Sequence, residues 1–373
     1  MRLSNVYNLG IKELRSLGRD RLMLGLIVFA FTISIYAAAT ALPETLNRAA
    51  ISIVDEDHSP LSARIAAAFY PPYFLPPQMI TQAEMDARMD AGLDTFAIDI
   101  PPNFQRDVLA GRSPAIQLNV DATRMSQAFT GAGYIQAIIN REVSAFVERY
   151  QSRPTAPVQL VERMRFNPTL ERSWFGAIIE VINNVTMVSV ILTGAALIRE
   201  REHGTIEHLL VMPVRPIEIM LAKILSMGLV VWSACALSLA FVVQGLLSVP
   251  IEGSVMLFLA GAAAHLFATT SLGIFLGTAA RSMPQLGLLI ILVLIPLEML
   301  SGGMTPRESM PEFVQNIMLA APTTHFVLLA QAILYRGAGF DVVYPQFIWL
   351  IAIGAALFVF SLARFRKSLS EIG

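Results

Sequence analysis

The sequence predicts a membrane α-helical protein with six transmembrane helices in a one-plus-five order and an α/β extracytoplasmic domain inserted between helices 1 and 2. Three observations carry this. Of 373 residues, 55% are apolar and only 15% charged, against about 25% charged in a soluble domain. The apolar stretches 22–42, 174–198, 224–248, 255–280 and 347–363 are each 17 residues or longer and hold at most one Asp, Glu, Lys or Arg, and roughly 20 apolar residues suffice to cross about 30 Å of hydrocarbon. Between the first two of those stretches, residues 43–173 are polar and alternate strand and helix signals. A net charge of −1 argues against a basic nucleic-acid binder. The single cysteine, Cys235, can form neither an intrachain disulfide nor a cysteine-rich metal site.

Residues 1–21 open the chain with an apolar stripe of Leu3, Val6, Tyr7, Gly10, Leu14 and Leu17 opposite Lys12, Glu13 and Arg15. That pattern suits a helix lying in the cytoplasmic membrane interface. The first span, Leu22 to Leu42, has 21 uncharged residues and stops before Pro43. A cleaved signal peptide is the alternative, because Arg19 and Arg21 precede it and Ala39-Thr40-Ala41 resembles a cleavage site. The apolar run exceeds the usual signal core of about 7–15 residues, which favours the span.

Within residues 43–173, a β-branched run at Ala50–Val54 ends at Asp55-Glu56-Asp57, and Ser59-Pro60 starts a helix through about Tyr70. Thr81 and Glu84 form a capping box for a helix closed by Gly92. Strands follow at Thr95–Ile100 and Ala115–Val120, with a helix from Pro101-Pro102 to Gly111 between them. A long helix comes next, at about Met125–Tyr150, then an alternating strand near Pro157–Phe166. Asp55, Asp57, Asp99 and Asp121 read as turn residues rather than metal ligands, since no His or Cys accompanies them at ligand spacing. The run Pro71 to Pro77 reads as an extended loop packing on its own domain, or else as a docking edge.

Five further spans are expected: Trp174–Ile198, Ile224–Ser248, Val255–Ala280, a short Leu286–Leu300 carrying Pro296, and Phe347–Ala363. A cytoplasmic loop, 199–223, separates the second span from the third. Residues 301–346 form an outer hairpin and loop, in which Thr323–Leu334 is apolar but too short to cross. Basic residues cluster at 2–21, 199–223, 281 and in the tail 364–373, so both termini are expected in the cytoplasm. The 12 basic and 15 acidic residues of 43–173 do not bear on orientation, because long domains translocate regardless of charge.

The loop 199–223 carries the most informative pattern. Arg199 and Glu200 lead to Gly204, able to end the span in the left-handed conformation, and Thr205 can cap a short helix with Glu207 in its first turn. Ile206, Leu209 and Leu210 make that helix amphipathic, Pro213 stops it, and Glu218 and Lys223 enter the next span. This stretch closely resembles the loop of ABC-2-type transporter permeases, whose pattern is Arg-Glu, a gap, Gly-Thr-x-Glu-x-Leu, Pro, then Glu and Lys. The order of elements resembles that family over nearly the whole chain. Ser301-Gly302-Gly303, Pro306 and Pro322 are similar to its outer hairpin. The nearest likeness is to inner-membrane drug-export permeases of Gram-negative bacteria.

The resemblance implies the membrane half of an ABC exporter. Its loop would be a coupling helix seated on a separate ATPase subunit, which binds ATP and Mg. A second permease copy would complete the pathway, and a periplasmic adaptor is a candidate partner beside membrane lipids. The residues agree that this chain is not itself the ATPase: a P-loop needs Gly-Lys-Ser/Thr, and none of Lys12, Lys223 and Lys367 follows a glycine.

Polar residues in the spans are candidate path groups. Glu180, Asn183 and Asn184 lie on the second span, and Glu298 lies near the outer end of the fifth. A carboxylate at membrane depth costs about 2.5–3.5 kcal/mol and so faces protein or water. His265 reads as a packed, hydrogen-bonded histidine, and Gly261, Gly273 and Gly277 as close helix contacts. Two other classes compete. An ion-coupled secondary transporter should show midplane charges and inverted repeats. A receptor with an extracytoplasmic sensor would not need five spans after its sensor.

Overall fold

The computed structural model describes residues 2–40, 48–121, 125–151, 172–202, 204 and 213–370. The chain divides into two compact units, Met1–Ala41 with Met164–Gly373, and Leu42–Arg163.

In the first unit, α1 (Leu3–Arg19) leads into α2 (Arg21–Thr40), whose N-cap Asp20 accepts the Met23 N–H at 3.1 Å. The unit continues with α7 (Arg172–Glu202), α8 (Pro216–Leu246), α9 (Val255–Ala279) and α10 (Met283–Met299). It closes with α11 (Glu312–Met318), α12 (Pro322–Tyr335) and α13 (Phe340–Ser370). Among the described residues five helices, α2, α7, α8, α9 and α13, are long and apolar enough to cross a membrane. A sixth candidate is the pair α11–α12, bent by 90°. The 17-residue α10, expected as the fifth span, is the shorter element, with Pro296 inside it. At 1.5 Å per residue it covers roughly 25 Å.

Helix α7 is the centre, with 83% of its apolar window buried. Hydroxyl groups join it to α9: Thr186 Oγ1 and His265 Nε2 are 2.9 Å apart, and Ser189 Oγ donates to Thr269 Oγ1 at 2.7 Å. The His265 ring is fully buried and stacks on Phe326, centroids 4.2 Å apart. Glycine permits the closest approach of these two helices. A Cβ on Gly273 would stand 2.7 Å from the Val190 carbonyl oxygen, and one on Gly277 would stand 3.1 Å from that of Gly194. Helix α2 packs into the same core through Ile27, Ala30, Phe31, Ile35 and Ala39.

The second unit contains a four-stranded sheet in the order β2-β1-β3-β4, built from β1 (Ile51–Asp55), β2 (Gln78–Met79), β3 (Phe96–Ile100) and β4 (Gln117–Val120). The pairs β1–β2 and β1–β3 are parallel and β3–β4 is antiparallel. Period-two alternation sorts the side chains: Ile51, Ile53, Phe96 and Ile98 join one core, while Val54 and Ala97 join Met85 in the other. Around the sheet lie α3 (Pro60–Ala67), α4 (Gln82–Asp90), α5 (Phe104–Leu109) and α6 (Met125–Gln151). Ser59 caps α3, and Thr81 with Glu84 caps α4. The helix expected from Pro101 starts later, at Phe104, because Asn103 takes a left-handed φ of 65° just before it. β2, only two residues long, has no sequence signature. Phe74, in the proline-rich loop, is buried between Phe69 and Phe96, so this loop packs on its own unit. The strand expected near 157–166 lies outside the described residues.

Candidate functional site

The end of α7 and the start of α8 flank residues 205–212. Thr205, Glu207 and Leu209 lie outside the described residues, but both flanks are placed. Gly204 has φ +67°, the left-handed geometry that glycine adopts freely. Helix α8 starts at Pro216, earlier than the span expected from Ile224, so Glu218 and Lys223 sit within its first turns. Pro216 suits that first turn because its missing N–H is not needed there. Pro213 precedes it in an exposed bend.

What holds these flanks is α1. Lys223 Nζ lies 2.8 Å from Glu13 Oε1 and 2.8 Å from Glu200 Oε2, and its side chain is only 2% exposed. Lys12 pairs with Glu200 from the more exposed side and lies 3.6 Å from Glu13. Two carboxylates and two ammonium groups therefore compensate one another where desolvation would penalise any one alone. Burial depresses the Lys12 ammonium pKa, yet the charges and hydrogen bonds of Glu200 and Glu13 outweigh it and hold Lys12 above the ordinary lysine range. Beside the cluster is a cavity of about 300 Å³, lined by Lys12, Glu13, Ser16, Leu17, Arg199 and Glu200 among others.

Two further clamps secure the same corner. Arg199 pairs with Asp20 at 2.7 Å. The Glu218 carboxylate accepts the Arg2 N–H at 2.6 Å, the Asn5 amide at 3.0 Å and the Arg215 N–H at 3.1 Å. The sequence pattern singles out Arg199, Glu200, Glu218 and Lys223 but misses their partners on α1. Glu13, placed by the stripe on the polar face, is 6% exposed, whereas Leu3 and Tyr7 are 75% and 70% exposed. The packed face keeps Val6 and Leu17 of the expected stripe and adds Glu13, leaving Leu3 and Tyr7 outside it. One signal was available: Lys223, in the first turns of an apolar helix, requires a buried counter-ion.

The other candidate residues fall in two places. On α7, Glu180 Oε1 accepts the Ser34 hydroxyl at 2.5 Å and the Asn184 amide at 3.3 Å, and that amide also donates to the Ala30 carbonyl at 2.8 Å. Both acceptor and donor on α2 belong to a π-helical stretch, Ala30–Ser34, a local widening at which a neighbouring side chain can reach backbone groups. Asn183 is half-buried. Glu298, on α10, is within electrostatic range of Glu180, and its Oε1 is buried with no hydrogen-bond partner among the described residues. Its backbone carbonyl accepts the Ser301 hydroxyl at 2.8 Å. Ser301, Gly302, Gly303 and Pro306 come together with Arg307 around a cavity of about 250 Å³, while Pro322 opens α12. In the second unit Asp55 accepts the Asp57 and His58 N–H groups and the Ser62 hydroxyl, the turn role expected of it. Among the described residues no group of three or more His, Cys, Asp or Glu could hold a metal ion.

Several apolar helices long enough to cross a membrane, tied together at a charged corner, define an integral membrane protein. The model of the ABC-2 family transporter proteins matches residues 22–363. The chain belongs to that family of transporter permeases and is an integral inner membrane protein. It is 66% identical over 370 residues to the "Inner membrane transport permease YhhJ" of Escherichia coli, covering 99% of both chains. It is 25% identical to two proteins of the same organism. These are the "Probable multidrug ABC transporter permease YbhR", with 95% of this chain and 96% of that one covered, and the "Probable multidrug ABC transporter permease YbhS", with 95% and 94% covered. Permeases of this family work with an ATPase subunit.

Proposed function

We propose that this chain is the permease subunit of an ABC-2 exporter with six spans. A separate ATPase subunit, binding ATP and Mg, would power it. It would move a lipophilic or amphiphilic, drug-like compound out of the cytoplasm or the inner leaflet. Both termini would face the cytoplasm and residues 43–173 the periplasm, with a second permease copy completing the pathway. Residues 205–212 would seat on the ATPase, while Glu180, Asn183, Asn184 and Glu298 would border the path near the outer hairpin.

The supporting observation is the Lys12–Glu13–Glu200–Lys223 cluster. It ties the two helix ends that bracket 205–212 to α1, so that a push on the loop moves three helices together instead of bending one end. In an ion-coupled carrier such a cluster would have no reason to sit at a loop that binds no motor.

ATP turnover of the cognate ATPase, measured with and without the full-length permease in nanodiscs, tests the proposal. Turnover should depend on the permease, and Glu207→Ala should abolish that dependence. Turnover unaffected by the permease, or coupling unchanged in Glu207→Ala, overturns it.

A further inference from the structure

We infer that the second unit carries a binding groove for a single-chain anionic amphiphile, formed between α6 on one side and α5 with β4 on the other. This goes beyond the coupling role proposed above and does not depend on it. The groove encloses about 750 Å³, within the range of about 300–1,000 Å³ typical of pockets that take drug-sized ligands.

Its construction follows from the elements. On β4, Leu118 turns towards α6, while Asn119 turns to the opposite face and donates to Met85 Sδ at 3.2 Å. Ile116 and Leu118 therefore form one apolar wall, with Val108 of α5 beside them and Ile139 and Val143 of α6 across the gap. These five side chains are only partly buried, although each belongs to the edge of the unit's core. Apolar side chains arranged around an open volume are a stable way to hold an apolar ligand and a costly way to hold water.

The polar groups are not scattered. Gln136, Asn140 and Ser144 follow one another at a spacing of four along α6, so they form one line along the rim. The lining contains no carboxylate, and its one charged group is Arg112 at the mouth. Arg112 gives one N–H to Asp107 at 2.8 Å, and a guanidinium has five N–H donors in all. An apolar body with an anionic head fits this distribution, and a cationic head does not. Gly133, one turn before Gln136, leaves the groove open: a Cβ built there meets no atom within 4 Å.

The full-length protein in nanodiscs is photolabelled with a diazirine-bearing dodecanoic acid, and the labelled peptides are mapped by mass spectrometry. Label is expected in 104–118 and 132–147. Gly133→Phe, whose Cβ would meet no atom within 4 Å and whose ring would occupy the groove, should lower that label about tenfold, the scale of losing a well-packed apolar contact. Label in the apolar helices serves as the internal standard. Arg112→Gln should weaken labelling by the acid but not by the corresponding diazirine alcohol. If Gly133→Phe fails to fold, Asn140→Asp, a surface change that sets a negative charge on the rim, takes its place and should also reduce labelling by the acid. Labelling of 104–118 and 132–147 that is absent, or unaffected by these changes, overturns the inference.

Discussion

Lys223 Nζ on α8 stands 2.8 Å from Glu13 Oε1 on α1, and the two side chains are 2% and 7% exposed. A pair so placed gains little net stability over an apolar pair, but removing one partner leaves the other charged and buried.

Lys223→Met should therefore cost about 3–5 kcal/mol, read as a lower unfolding temperature of the purified protein. Adding Glu13→Gln restores the balance, leaving Lys12 with Glu200, and should recover most of that loss. If the double variant is no more stable than the single one, the charges of this corner are not what holds α1.

Gly273→Ala presses a methyl group to within 2.7 Å of the Val190 carbonyl oxygen. Overpacking of this kind costs about 1–3 kcal/mol. Gly228→Ala, on α8 with open space around it, should instead be neutral or stabilising by up to about 1 kcal/mol. Thermal unfolding of both variants checks the contrast.

Asn184→Leu removes the donor that the Ala30 carbonyl faces at 2.8 Å. The expected loss is about 1–2 kcal/mol, the scale of an interhelical hydrogen bond in a membrane. Hydrogen exchange should rise in 28–36 and remain unchanged in α9.

Glu84 gives a pH-dependent signal. The Thr81 backbone N–H, and after it the Thr81 hydroxyl, hold its carboxyl below the usual 4.5. The folded value is depressed, so the cap's contribution is present above about pH 4.5 and is lost as pH falls through the lower folded value. Amides of 82–90 should lose protection over that acid range in the native protein, whereas Glu84→Gln should show no such step.

How much of this was legible in the sequence depends on the range of the interaction. Hydropathy locates α2, α7, α8, α9 and α13 because a charge-free run of sufficient length has few other uses. Caps such as Ser59 and Thr81 are local and readable. The placement of Glu13 is not, because a one-turn apolar repeat on α1 is compatible with more than one packed face, and Lys223, which selects among them, lies 210 residues away. Ser34 as the partner of Glu180 is hidden for the same reason, with 146 residues between them. The pattern at 205–212 was informative about family, while the charges that anchor its flanks became visible only once α1 was seen against α7 and α8.

The order of synthesis adds a last consequence. Glu13 leaves the ribosome long before Glu200 and Lys223 exist, so the first helix to be made is among the last to find its place. Until α8 has been inserted, α1 lacks Glu218 and Lys223, and of the charged partners described above only Glu200 on α7 is in place. A nascent chain cut short before residue 216 should hold its amino-terminal segment open to protease, and completion of α8 should close it.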